Sequence, residues 1–290
     1  MVRLLINLDD FHKENTTEDI VATFLAVFAL LWVIQGISFV LYTLLSGLIK
    51  VFGPYGNRVI LARHTMDVIA MTSFSLMGLE VMNEFGGFLS FEKYIDPTSG
   101  EVATSTQRVY YYSSAASRLI VTQLAYELKN FCDSAIHNDG IIFLIHHAAT
   151  ALLATCGFAP FLHFYSSFFF GISEISTAIL CALVCFDDER GIPALAKAFP
   201  TVMKILGVAF AISFIGFRVV LWPWVSYYFW IDCLAVLNDG SVHSPPVVYL
   251  FLVANVFLTS LQILWLGEIF KTAGKILFGE DKAKNEKKKK

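Results

Sequence analysis

Charge is scarce in this chain. Only 16% of its 290 residues are Asp, Glu, Lys or Arg, against about a quarter in soluble globular domains, and those few gather in short islands between long apolar runs. That shortage excludes a soluble enzyme, a coiled coil and a disordered tail protein. Cysteine is also sparse: five are present, none in a Cys-x-x-Cys pair, which excludes a disulfide scaffold. The net charge of -3 is too small to draw nucleic acid as a partner. No internal repeat is visible. Seven histidines with one adjacent pair cannot supply the clustered boxes of a di-iron lipid oxidase, and the last apolar run has no lysine near its middle, where a retinal protein needs one. What the chain does have is apolar bulk, with 56% hydrophobic residues, 15% aromatic residues and a mean hydropathy of +0.63.

A helix crossing hydrocarbon needs about 20 mostly apolar residues, because its backbone groups find no water to bond. About seven segments meet this requirement and predict an all-α, multi-pass membrane bundle. The first, Ile20 to Ile49, carries no charge and follows an acidic leader (Asp9, Asp10, Glu14, Glu18, Asp19). It is too long for a cleavable signal peptide. The others are expected at 65–89, 109–128, 140–159, 161–185, 203–231 and 247–270. The second carries Asp67 and Glu80, and the third Arg118, Gln123 and Glu127, so both must turn those groups toward protein or water. The short link Gly157-Phe158-Ala159-Pro160 between spans four and five predicts that these two pack as an antiparallel hairpin.

Cytoplasmic loops carry the excess of Lys and Arg. Lys50, Arg58, Arg63, Lys129, Arg190, Lys197 and Lys204 fall on one side, with all the lysines from Lys271 onward, whereas Arg3, Lys13, Lys93 and Arg108 fall on the other. The C-terminus is therefore expected in the cytoplasm and the N-terminus in the lumen. Four terminal lysines, Lys287 to Lys290, match a dilysine retrieval address for the endoplasmic reticulum read by coat proteins; the alternative is attraction to anionic lipid. The sequon Asn15-Thr16-Thr17 falls on the lumenal side, close to the membrane. The organisation expected is a leader over 1–19, a first span and cytoplasmic loop over 20–59, a main membrane domain over 60–275 and a lysine-rich tail over 276–290.

Polar groups inside a bilayer cost a few kcal/mol each on insertion scales, so each one needs a reason. The fourth span holds the densest set. It places His147 and Thr150 on one helical face, with His146 one position round, on the order of 10 Å below the cytoplasmic surface. The fifth span returns with Ser173-Glu174-Ile175-Ser176-Thr177, which brings Glu174 to a similar depth. Two imidazoles and a carboxylate that converge make a general base with an orienting partner, or a covalent acyl acceptor. The alternative is that they hydrogen-bond to lock helices together. No metal-ligand pattern is evident. Arg218, ahead of Trp222-Pro223-Trp224, reads as a counter-ion for Glu174 or Glu127, and the missing amide of Pro223 should break or kink the sixth span. His163 reads as an interfacial residue at the hairpin turn, and Cys156 and Cys181 as buried packing residues.

These residues resemble the TLC-domain family, which includes the ceramide synthases. Ceramide synthases carry an Asp, six residues, then His-His-x-x-Thr-x-x-Leu, and Asp139, His146, His147, Thr150 and Leu153 fall in that register. Their His-Asp-x-x-Asp lands on Ser173, Glu174 and Thr177, so two of its three groups are replaced. Glu174-Ile175-Ser176-Thr177 is similar instead to the TLC-domain-containing transmembrane branch, as are Phe217-Arg218 with Pro223, and Asn255, Leu261-Gln262 and Trp265. The resemblance implies a multi-pass endoplasmic reticulum protein whose helices enclose a lipid-sized cavity and which acts in lipid homeostasis. His146, His147 and Glu174 are then the candidate catalytic residues, and Asp139, Thr150, Ser173, Thr177, Arg218 and Trp265 the candidate substrate contacts. Membrane lipids or fatty acyl chains are the partners implied, with no bound cofactor. Two alternatives remain: an acyltransferase of ceramide synthase type taking acyl-CoA as co-substrate, and a trafficking adaptor working through the basic tail.

Overall fold

The computed structural model describes residues 16–88, 90–96, 100–158, 160–187 and 191–278. The Asn15 sequon, most of the acidic leader and the four terminal lysines lie outside the described residues. Among the described residues seven long helices account for the architecture: α1 (Thr17–Leu45), α2 (Tyr55–Glu84), α3 (Ser114–His137), α4 (Ile141–Cys156), α5 (His163–Val184), α6 (Pro200–Asn238) and α7 (Pro245–Phe278). Five of them, α1, α2, α5, α6 and α7, are long and apolar enough to cross a membrane; α4 is a shorter apolar helix, and α3 is long but polar. The protein is therefore an all-α, multi-pass membrane bundle.

Local chemistry sets the helix ends. Thr16 caps α1 by accepting from the Asp19 amide, and Ser113 caps α3 through the Ala116 amide. Asn138, in the left-handed region at φ 56°, stops α3, and Gly140 at φ 110° completes a corner that returns α4 along α3. The six helices α2, α3, α4, α7, α6 and α5 pack in that order, each on the next, and α5 closes back on α2. The result is a ring. α1 lies outside it against α2 and α3, and its outward leucines, such as Leu25, Leu41 and Leu44, are exposed.

The expected hairpin of spans four and five does not form. α4 packs along α3, and α5 packs along α2. The reason is a pair of glycines. A Cβ on Gly78 of α2 would come within 2.6 Å of the Gly171 Cα, and one on Gly171 within 2.4 Å of the Gly78 Cα, so these two backbones approach more closely than any side chain allows. The contact falls in a π-helical stretch of α5, Ser167–Ile172. A second π stretch, Ile215–Leu221, precedes Pro223, and α6 runs on through the proline instead of breaking there.

His163 is not interfacial. It is fully buried, receives the Ser113 amide on Nδ1 at 3.3 Å and contacts the Gly157 carbonyl through Nε2 at 3.0 Å. It thereby ties the α4–α5 link to the start of α3. The connections that lead into α3, α5 and α7 meet at this end, where the Leu162 amide donates to the Val109 carbonyl and Tyr110 bonds His243. At the opposite end Phe52, Leu61, Cys185, Ile192 and Leu195 form a separate small core.

Candidate functional site

Both histidines of the adjacent pair sit on α4, and the carboxylate that meets them comes from α3. His147 Nδ1 donates to Glu127 Oε2 at 2.6 Å. Glu127 is almost fully buried, and its other oxygen accepts from Gln123 Nε2 at 2.7 Å. This is why the α3–α4 corner matters: it sets residue 127 against residue 147, twenty positions later, across one tightly packed helix pair. The imidazoles of His146 and His147 stand 5.3 Å apart between centroids, and His146 Nδ1 is buried with no hydrogen-bond partner among the described residues. One donor atom from each of Glu127, His146 and His147 lies within 4.8 Å of the other two.

Glu174, expected to orient the imidazoles, takes a different partner. Arg218 Nη2 donates to Glu174 Oε1 at 3.2 Å and to Thr177 Oγ1 at 2.9 Å, while Nε donates to Ser176 at 3.2 Å. Arg218 also lies over the Trp222 ring, 5.4 Å from its centroid. The guanidinium outcompetes a neutral imidazole for the carboxylate, because a full charge pairs more strongly in a weakly polar interior. His146 remains within electrostatic reach of both Glu174 and Arg218. The Arg218–Glu174 pair therefore borders the imidazoles without bonding them.

The remaining candidates divide. Thr150 donates to the His146 carbonyl at 3.0 Å and Ser173 to the Phe169 carbonyl at 3.1 Å, so both hydroxyls serve their own helices. Asp139 pairs with Arg63 of α2 at 2.6 Å. Burial alone would raise its pKa, but the hydrogen bond and charge of Arg63 outweigh that and hold the carboxyl below the usual range. Trp265 stands 38% exposed on α7. Asn255, which the resemblance named, joins α6 to α7: it accepts from Trp230 at 3.0 Å and donates to Ser226 at 3.1 Å.

The sequence assigned no partners to three further sets, although it expected Asp67 to turn toward protein or water. Lys129 is fully buried and pairs with Asp133 at 2.5 Å, bonds Gln35 of α1, and lies 5.1 Å from the Trp32 ring centroid. Asp67 accepts from Tyr126 at 3.2 Å and Asn130 at 3.1 Å, which joins α2 to α3. At the other end Asp232, with no exposure, accepts from Arg108 at 2.7 Å and Tyr165 at 2.5 Å. The i, i+4 spacing of Lys129 and Asp133 was a readable signal. Nothing local linked Asp232 to Arg108, which lies 124 positions away.

A ring of helices, several of them long and apolar enough to cross a membrane, with an imidazole–carboxylate pair on one side and a buried arginine on another defines a multi-pass membrane protein. A family model described as the TLC domain matches residues 61–271. The chain belongs to the TLC-domain family. It is 23% identical over 185 residues to an uncharacterised TLC domain-containing protein of Schizosaccharomyces pombe, a stretch covering 63% of this chain and 60% of that relative's length. No solved structure matches it.

Proposed function

We propose that this protein acts in lipid homeostasis in the endoplasmic reticulum membrane, handling acyl lipids at the polar wall formed by Glu127, His146 and His147. The observation that carries this reading is the 2.6 Å bond between His147 and Glu127. A carboxylate on Nδ1 selects the tautomer that leaves the Nε2 lone pair free, and it stabilises the imidazolium if that nitrogen takes a proton. Seven crossings with a lumenal N-terminus and a cytoplasmic C-terminus put the lysine-rich tail on the side that retrieval machinery reads. The lipid headgroup is bound from the Arg218, Thr177 and Glu174 side, and its chains run between the helices.

Lipidomics of cells carrying wild type or the His146→Ala/His147→Ala double variant tests this. The double variant should reproduce the lipid profile of cells lacking the protein. A double variant that restores the profile fully sinks the reading.

The same bond favours a second reading, acyl transfer from acyl-CoA. His147 would take the proton of the attacking group, or His146 would receive the acyl chain as the thioester C–S bond breaks and free CoA leaves. Incubation of the purified protein with acyl-CoA, followed by intact-mass measurement and product analysis, distinguishes the two. Neither an adduct nor turnover leaves lipid handling without chemistry.

A further inference from the structure

We infer that Glu127, His146 and His147 form a binding site for one divalent transition metal ion of the zinc type. The inference holds whatever lipid the protein handles.

Two imidazoles and one carboxylate are a known donor set for zinc with a fourth position left open. The spacing agrees with it. With Zn–N near 2.0 Å and tetrahedral angles, two ligating rings have centroids about 5 Å apart, and the two imidazoles here stand 5.3 Å apart. Tetrahedral donors are separated by roughly 3.3 Å, so three atoms within 4.8 Å of one another need only side-chain adjustments to close on an ion.

Two further features point to a ligand. His146 Nδ1 is buried without a partner, although a polar atom left unpaired inside a bilayer is costly, and a cation supplies what it lacks. Gln123 holds the Glu127 carboxylate from behind at 2.7 Å, the outer support that ligating carboxylates have. Charge is permissive as well. Arg218 already neutralises Glu174, which leaves Glu127 as the carboxylate at this wall with no permanent cation against it among the described residues. When the ion binds, it replaces the proton shared by His147 and Glu127, and that proton leaves to solvent.

The test uses the full-length protein in detergent, stripped with a chelator and then dialysed against zinc or cobalt(II). Bound metal per chain is measured by plasma mass spectrometry, and the visible bands of cobalt report the ligand set in the wild type without any substitution. We expect one ion per chain and a cobalt spectrum of tetrahedral nitrogen and oxygen ligation. His146→Ala and His147→Ala should each weaken binding by more than the roughly 10- to 100-fold that losing an outer partner costs. His64→Ala, which alters the separate group His64, Asp67 and Cys181, should bind as wild type does. A wild type that retains no metal, a cobalt spectrum of the hydrated ion, zinc unaffected by the α4 substitutions, or zinc lost with His64→Ala would each overturn the inference.

Discussion

Glu127 and Lys129 lie two positions apart on α3 and show how a buried charge is held. Each is placed against a specific partner, and removing one member leaves the other stranded in a medium that solvates it poorly. Breaking a buried pair in this way costs about 3–5 kcal/mol. Asp133→Asn should therefore lower the thermal unfolding midpoint in detergent markedly, because Lys129, with no exposure, loses the carboxylate that pairs with it at 2.5 Å. Lys129→Met should cost less, because the Asp133 carboxylate it leaves behind keeps Arg63 Nε at 3.5 Å. At the site itself, Glu127→Gln should reproduce the lipid profile of His147→Ala, since the neutral amide cannot stabilise the imidazolium. If Glu127→Gln restores the wild-type profile, the pair is structural only. The imidazole pair was readable from its type and its neighbours in the chain. Its partner was not, because Glu127 and Glu174 are equally plausible carboxylates until the helix order is known, and Arg218 withdraws one of them.

Elements meet here through two devices, a close backbone approach and a charged corner. Gly78→Ala or Gly171→Ala would push a Cβ into the backbone of the neighbouring helix, and overpacking of this kind costs typically 1–3 kcal/mol. Differential scanning fluorimetry should show a lower midpoint for either variant. Gly207→Ala on α6, where an added Cβ meets nothing within 4 Å, is the matched control. The corner is the Arg63–Asp139 pair, which joins the start of α2 to the turn before α4. Asp139 is held below its unfolded value, so its contribution is present above that value and is lost as pH falls through the lowered one. The midpoints of wild type and Asp139→Asn should therefore differ at neutral pH and converge in acid. The hairpin expected from the short link after Gly157 failed at this scale. A four-residue connection limits how far two helices can separate, yet it does not decide which of several apolar faces each prefers, and the Gly78–Gly171 contact decided that for α5.

The whole molecule is a ring of six helices with α1 against its outside, and the distribution of Lys and Arg along the sequence predicts termini on opposite faces of the membrane. A glycosylation tag placed before Thr17 should be modified, and one placed after the tail should not. Deleting Lys287 to Lys290 should release the protein from the endoplasmic reticulum if the tail is a retrieval address. Apolar length and scarcity of charge by themselves determined that this chain is a helical membrane bundle, and the His-His and Glu-x-Ser-Thr patterns pointed to its family. Both properties are local: a helix must satisfy its own backbone in hydrocarbon, and a motif lies on consecutive turns. Only the tertiary structure decided that α4 rests on α3 and α5 on α2, that Glu127 and not Glu174 holds His147, and that Asp232 meets Arg108. Those choices depend on which helix faces fit together across tens of residues, and the order of residues along one helix carries no information about the face opposite it.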